Sequence, residues 1–138
     1  MELFLKIARI LAIGFVAAWF LFGGIGHFTN AEFFVSIMPP YLPYHLELVY
    51  ISGVLEIAGA IALLIPKTRL HAGIFLILLT LAVTPANVHM AMNPELFPDA
   101  TETALYGRLV IQVIFLWIIW FSTSGVRAER RQQQAASA

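Results

Sequence analysis

The residues of this chain that can do chemistry sit inside apolar stretches. Glu56 stands alone in Val49-Tyr50-Ile51-Ser52-Gly53-Val54-Leu55-Glu56-Ile57-Ala58-Gly59-Ala60-Ile61-Ala62-Leu63-Leu64-Ile65, with Ser52 one helical turn before it. Arg108 and Gln112 lie one turn apart in a second apolar run, and Thr84, Asn87 and His89 close a third. His27 closes a fourth. A charge at the centre of a bilayer costs a few kcal/mol or more unless it is paired, protonated or wetted. Such residues can form an ion pair that fixes helix register, line a ligand cavity, or carry protons.

The elements that must position them are transmembrane helices. Of the 138 residues, 60% are hydrophobic and 12% charged, about half the charged share usual in soluble domains. The spacing predicts spans over 10–25, 46–65, 70–92 and 104–121, the third carrying Pro85 near its far end. The expected fold is all-α, an antiparallel four-helix transmembrane bundle. A short interfacial helix is expected around Ala31 to Ile37, between the first two spans. The prolines of Met38-Pro39-Pro40-Tyr41-Leu42-Pro43 forbid a continuous helix there. Residues 1–125 form one membrane domain, and 126–138 a polar cytoplasmic tail, frayed or disordered. Val16-Ala17-Ala18 has the look of a signal-peptide cleavage site, but the apolar run continues past it through Trp19, Phe20 and Phe22.

Charge placement gives the orientation. Lys6, Arg9, Lys67, Arg69, Arg127, Arg130 and Arg131 fall at the N-terminus, the turn between spans two and three, and the C-terminus. The other two loops carry only acids, among them Glu32, Glu95, Asp99 and Glu102. The positive-inside rule therefore places both termini in the cytoplasm of a cell whose inner membrane holds the chain. The one dissenting basic residue is Arg108. The absence of cysteine removes disulfides and thiolate metal sites. No basic patch points to nucleic acid, and the bilayer is the expected surrounding.

Counting along the spans brings the polar residues to similar depths. Ser52, Gly53, Glu56 and Gly59 share one face of span two, and Gly73, Ile77, Thr80, Thr84, Asn87 and Ala91 form a seam on span three. Glu56 lies near mid-membrane, and His27, Asn87, His89, Arg108 and Gln112 in the outer half. A Glu56–Arg108 ion pair, direct or through water or Gln112, is the expectation. Soft donors also gather on the outer side: His27, His45, His89, Met38, Met90 and Met92. Copper is the metal they would suit, but His89-Met90-Ala91-Met92 fits no strong ligand spacing, so no metal site is assigned. A faint repeat relates the stretch from His27 to Phe34 with that from His89 to Phe97, as a duplicated helical hairpin would.

Five stretches carry a resemblance to a known family. They are Gly26-His27-Phe28, Met38-Pro39-Pro40-Tyr41-Leu42-Pro43, Ser52-Gly53-Val54-Leu55-Glu56-Ile57, Pro85-Ala86-Asn87-Val88-His89-Met90 and Arg108-Leu109-Val110-Ile111-Gln112. In their order and spacing, from about Phe22 to Trp120, the chain resembles the DoxX family of small four-helix membrane proteins. The resemblance implies a link to thiosulfate:quinone oxidoreduction, to membrane redox complexes or to biogenesis of partner proteins. Some relatives are tied to disulfide chemistry, a role this chain cannot support with thiols of its own because it has no cysteine.

No nucleophile–base constellation is visible, so autonomous catalysis is not expected. The first functional expectation is a non-catalytic membrane subunit that holds a quinone or another lipid-soluble molecule for a redox-protein partner. The alternatives are an assembly or chaperone-like membrane protein and a small proton-coupled transporter.

Overall fold

The computed structural model describes residues 1–136, and of residues 129, 130, 132 and 133 the backbone alone. The basic side chain of Arg130 and the last two residues of the tail thus lie outside the described residues. Six α-helices follow in order: α1 Glu2–Thr29, α2 Ala31–Ser36, α3 His45–Leu64, α4 Arg69–Ala82, α5 Thr84–Met92 and α6 Glu102–Ala136. A 3-10 turn, Pro94–Leu96, precedes α6.

Four stretches are long and apolar enough to cross a membrane: Glu2–Thr29, His45–Leu64, Arg69–Met92 and Glu102–Ala128. The shortest, α3, has 20 residues and spans about 30 Å. The outward faces are as apolar as the inward ones. Phe4, Ile10, Leu11, Trp19, Phe22, Val54, Leu78, Val113 and Trp117 all stand exposed. A helix apolar all round is the mark of a lipid surrounding. The chain is a multi-pass membrane protein with an antiparallel four-helix bundle.

The helices pack as a closed square. α1 lies against α3 and α6, and α4 lies against α3 and α6. α1 and the α4–α5 span are therefore diagonal to one another, as are α3 and α6. The core runs through the centre from Ile13, Val16, Ala17 and Phe20 on α1 to Ala60 and Leu63 on α3, Leu76 and Leu79 on α4, and Phe115 and Ile119 on α6. A smaller cluster of Ile37, Met90 and Leu105 closes the acidic end beneath the two longer loops.

Contact between α1 and α3 is closest where both backbones carry glycine. A Cβ on Gly24 would lie 2.8 Å from the Gly53 carbonyl oxygen, and one on Gly53 would lie 2.9 Å from that of Gly24. Only residues without a Cβ let the two helices meet at this level, as small residues do at helix interfaces in lipid.

Three expectations are refined. The short helix after span one is present as α2, Ala31–Ser36. The third span is not one helix: it breaks at Val83 into α4 and α5. Pro85 has no N–H and its ring crowds the carbonyl one turn back, so the ladder cannot run through. The Thr80 hydroxyl donates to the Leu76 carbonyl at 2.7 Å and the Thr84 hydroxyl to that of Thr80 at 3.1 Å, contacts that also bend helices. The tail is helical rather than frayed: α6 continues to Ala136. After Gly125 the sequence holds neither glycine nor proline, and its Ala, Arg, Glu and Gln residues are strong helix formers.

Candidate functional site

The square arrangement divides the polar residues between two separate sites. On the α1–α3 side, His27 Nε2 lies 3.4 Å from Glu56 Oε1, both side chains being buried. Helical side chains lean toward their own N-terminus, so Glu56 reaches from mid-span toward the acidic end, where His27 closes α1. A Cβ on Gly23 would sit 2.9 Å from Glu56 Oε2, so the carboxylate lies over bare α1 backbone. The Phe34 ring of α2 stacks on the imidazole at 4.0 Å between centroids.

The protonation of this pair follows from its partners. His27 Nδ1 lies 2.8 Å from the Val49 carbonyl oxygen. A carbonyl only accepts, so Nδ1 carries a hydrogen and donates it. A neutral imidazole would then turn a bare lone pair at Nε2 toward the acid. The contact needs one further proton, on Nε2 or on the carboxyl group. The pair is a one-proton site inside the membrane span.

On the α5–α6 side, four residues form a one-way chain of hydrogen bonds. Arg108 Nε donates to Asn87 Oδ1 at 3.2 Å, Asn87 Nδ2 to Gln112 Oε1 at 2.6 Å, and Gln112 Nε2 to Thr84 Oγ1 at 2.6 Å. Thr84 passes the chain on to the Thr80 carbonyl. Both ends fix its direction: a guanidinium only donates and a carbonyl only accepts. Each amide therefore has one possible orientation. The chain holds the Arg108 guanidinium by its Nε edge. Among the described residues no hydrogen bond or ion pair engages its Nη atoms, and they are not sealed from the surroundings.

The expected Glu56–Arg108 ion pair is not formed. Glu56 pairs with His27, Arg108 with Asn87, and Gln112 bridges Thr84 and Asn87 rather than the acid. Residues of similar depth on α3 and α6 face each other across the diagonal, with the core between them. His89 also stands outside both sites. Its Nδ1 accepts from Asn93 Nδ2 at 3.1 Å, and its ring meets Phe97 edge-on. Ser52 is half-buried on α3 and joins neither network. The histidines considered for copper are dispersed among separate partners, His45 donating to the Pro39 carbonyl at 3.1 Å. Among the described residues no three His, Asp or Glu side chains gather closely enough to hold a metal ion.

One participant was not singled out from sequence, and a second was placed only on the polar seam. Phe34 gave no signal beyond lying in an aromatic-rich loop. Thr80 was readable, one turn before Thr84 on the polar seam.

The bundle and its two intramembrane polar sites define a small multi-pass membrane protein. The chain belongs to the family described as a domain of unknown function (DUF8561), whose model matches residues 16–123. That stretch takes in every residue of both sites. No curated protein and no solved structure matches the chain.

Proposed function

We propose that this protein is a non-catalytic membrane subunit that binds a lipid-soluble molecule carrying acceptor oxygens, of which a quinone is the leading candidate, and holds it for a redox partner. One observation carries the reading: Arg108 is oriented from behind by the Asn87–Gln112–Thr84 chain, yet its Nη donors have no protein acceptor among the described residues. A guanidinium in a membrane span without a carboxylate is a functional group by default. Its parallel N–H donors suit a carbonyl or an oxyanion. The ligand enters sideways from the bilayer, with its apolar body among the lipid-facing side chains. The DoxX resemblance points toward the same redox setting. The basic residues gathered at one end favour an inner membrane with both termini in the cytoplasm. The test is mass spectrometry of gently purified protein: a quinone accompanies the wild type and is absent from Arg108→Ala. A co-purifying client protein with no small molecule would favour the assembly role instead.

A second reading, a small proton-coupled transporter, rests on the one-proton His27–Glu56 pair. It predicts pH-dependent flux in liposomes that Glu56→Gln abolishes.

A further inference from the structure

The opposite, basic end of the bundle holds a feature that neither polar site uses. Along α6, Trp120, Ser124, Arg127 and Arg131 follow at i, i+4, i+7 and i+11, one stripe of the helix. With Ala128 they line a groove of ≈ 420 Å³. We propose that this groove binds the headgroup of an anionic phospholipid in the leaflet at the basic end.

Arg127 is not a side chain swinging in water. Its Nη2 donates to Thr123 Oγ1 at 2.6 Å, its guanidinium lies 5.5 Å from the centre of the Trp120 ring, and its Nε is buried without an acceptor. Arg131, one turn on, places a second positive charge beside it, an arrangement that repels unless an anion lies between. Among the described residues no carboxylate pairs with either. Arg9 of α1 adds a third cation at the same level, its guanidinium 5.8 Å from the Phe121 ring and its Nε also buried without an acceptor. Buried donors in proteins are ordinarily paired, and among the described residues neither of these two Nε atoms has an acceptor. Ser124 and Ala128 are small and leave the space open.

The same stripe says why the anion belongs to a lipid. Continued toward the membrane centre it runs through Trp117 and Val113, both exposed, giving an apolar track for an acyl chain directly below the cationic groove. Trp120 sits at the junction, where indole rings favour the headgroup level. A free phosphate would use the arginines and leave the track idle.

The test uses the full chain in detergent, with phosphatidylglycerol or phosphatidylcholine added, and counts retained lipid by native mass spectrometry. Phosphatidylglycerol is expected to be retained in preference to phosphatidylcholine, and millimolar inorganic phosphate to leave it bound. Exposed Arg131 can be neutralised without disturbing the packing, and Arg131→Gln should weaken retention by about fivefold, the value of one interfacial cation. Ala128→Leu fills the groove while keeping every charge and should weaken it as well. The charge-matched control at the same end, Lys6→Gln, should leave it unchanged. The proposal is overturned if Ala128→Leu and Arg131→Gln retain lipid like the wild type, if the lysine control loses as much as Arg131→Gln, or if inorganic phosphate displaces the lipid.

Discussion

His27 and Glu56 face each other at 3.4 Å across the glycine-lined contact of α1 and α3, with the second histidine nitrogen committed to the Val49 carbonyl. Each side chain is buried, so removing one strands the other in apolar surroundings. His27→Ala and Glu56→Ala should each destabilise the bundle by about 3–5 kcal/mol. The double variant should cost less than the sum, with a coupling of about 1–3 kcal/mol. Glu56→Ala combined with Arg108→Ala should be additive. Unfolding titrations of the purified protein in mixed micelles read all three; a large Glu56–Arg108 coupling would contradict the two-site arrangement.

The α1–α3 contact itself depends on Gly24 facing the Gly53 carbonyl. Gly24→Ala introduces a Cβ that meets backbone, which cannot swing aside as a long side chain can. The helices must part, at a cost of about 1–3 kcal/mol. The His27–Glu56 contact lengthens with them. Gly14, with open space around it, is the matching control: Gly14→Ala should be neutral or slightly stabilising. Parallel thermal unfolding of the two variants decides this.

The Arg108 chain predicts an inversion of stability and binding. Asn87→Leu removes the acceptor that holds the guanidinium and should destabilise by about 1–3 kcal/mol. Asn87→Asp instead supplies the carboxylate that Arg108 lacks. Its stability should equal or exceed that of the wild type, while ligand retention falls because the guanidinium is now neutralised from within. Thermal stability and co-purifying small molecules, measured on the same preparations, should move in opposite directions in Asn87→Asp.

The spans, the short helix after the first of them and the polar residues were all legible in the sequence, because each depends on local pattern. Depth was legible too: counting residues placed Glu56 at mid-span and Arg108 nearer the acidic end. Lateral neighbours were not. Glu56 and Arg108 share a bundle interior, but nothing in the spacing says that α3 and α6 lie on the diagonal while α1 meets α3 edge to edge. Gly53 stood on the small-residue face of span two, but nothing in the spacing paired it with Gly24 of the first span. Pro85 announced a disturbance of the third span, but the threonine back-bonds that share in the bend at Val83 depend on rotamers that sequence does not display.

Binding of a short-chain quinone to the purified protein tests the central reading most directly, with wild type and Arg108→Gln titrated side by side against the quinone and a carbon-skeleton analogue lacking the carbonyls. Charge-assisted hydrogen bonds of about 1.5–3 kcal/mol predict that the wild type binds the quinone about tenfold or more tightly than the variant. The carbonyl-free analogue should not distinguish the two proteins. Equal quinone affinity in wild type and Arg108→Gln would contradict the account.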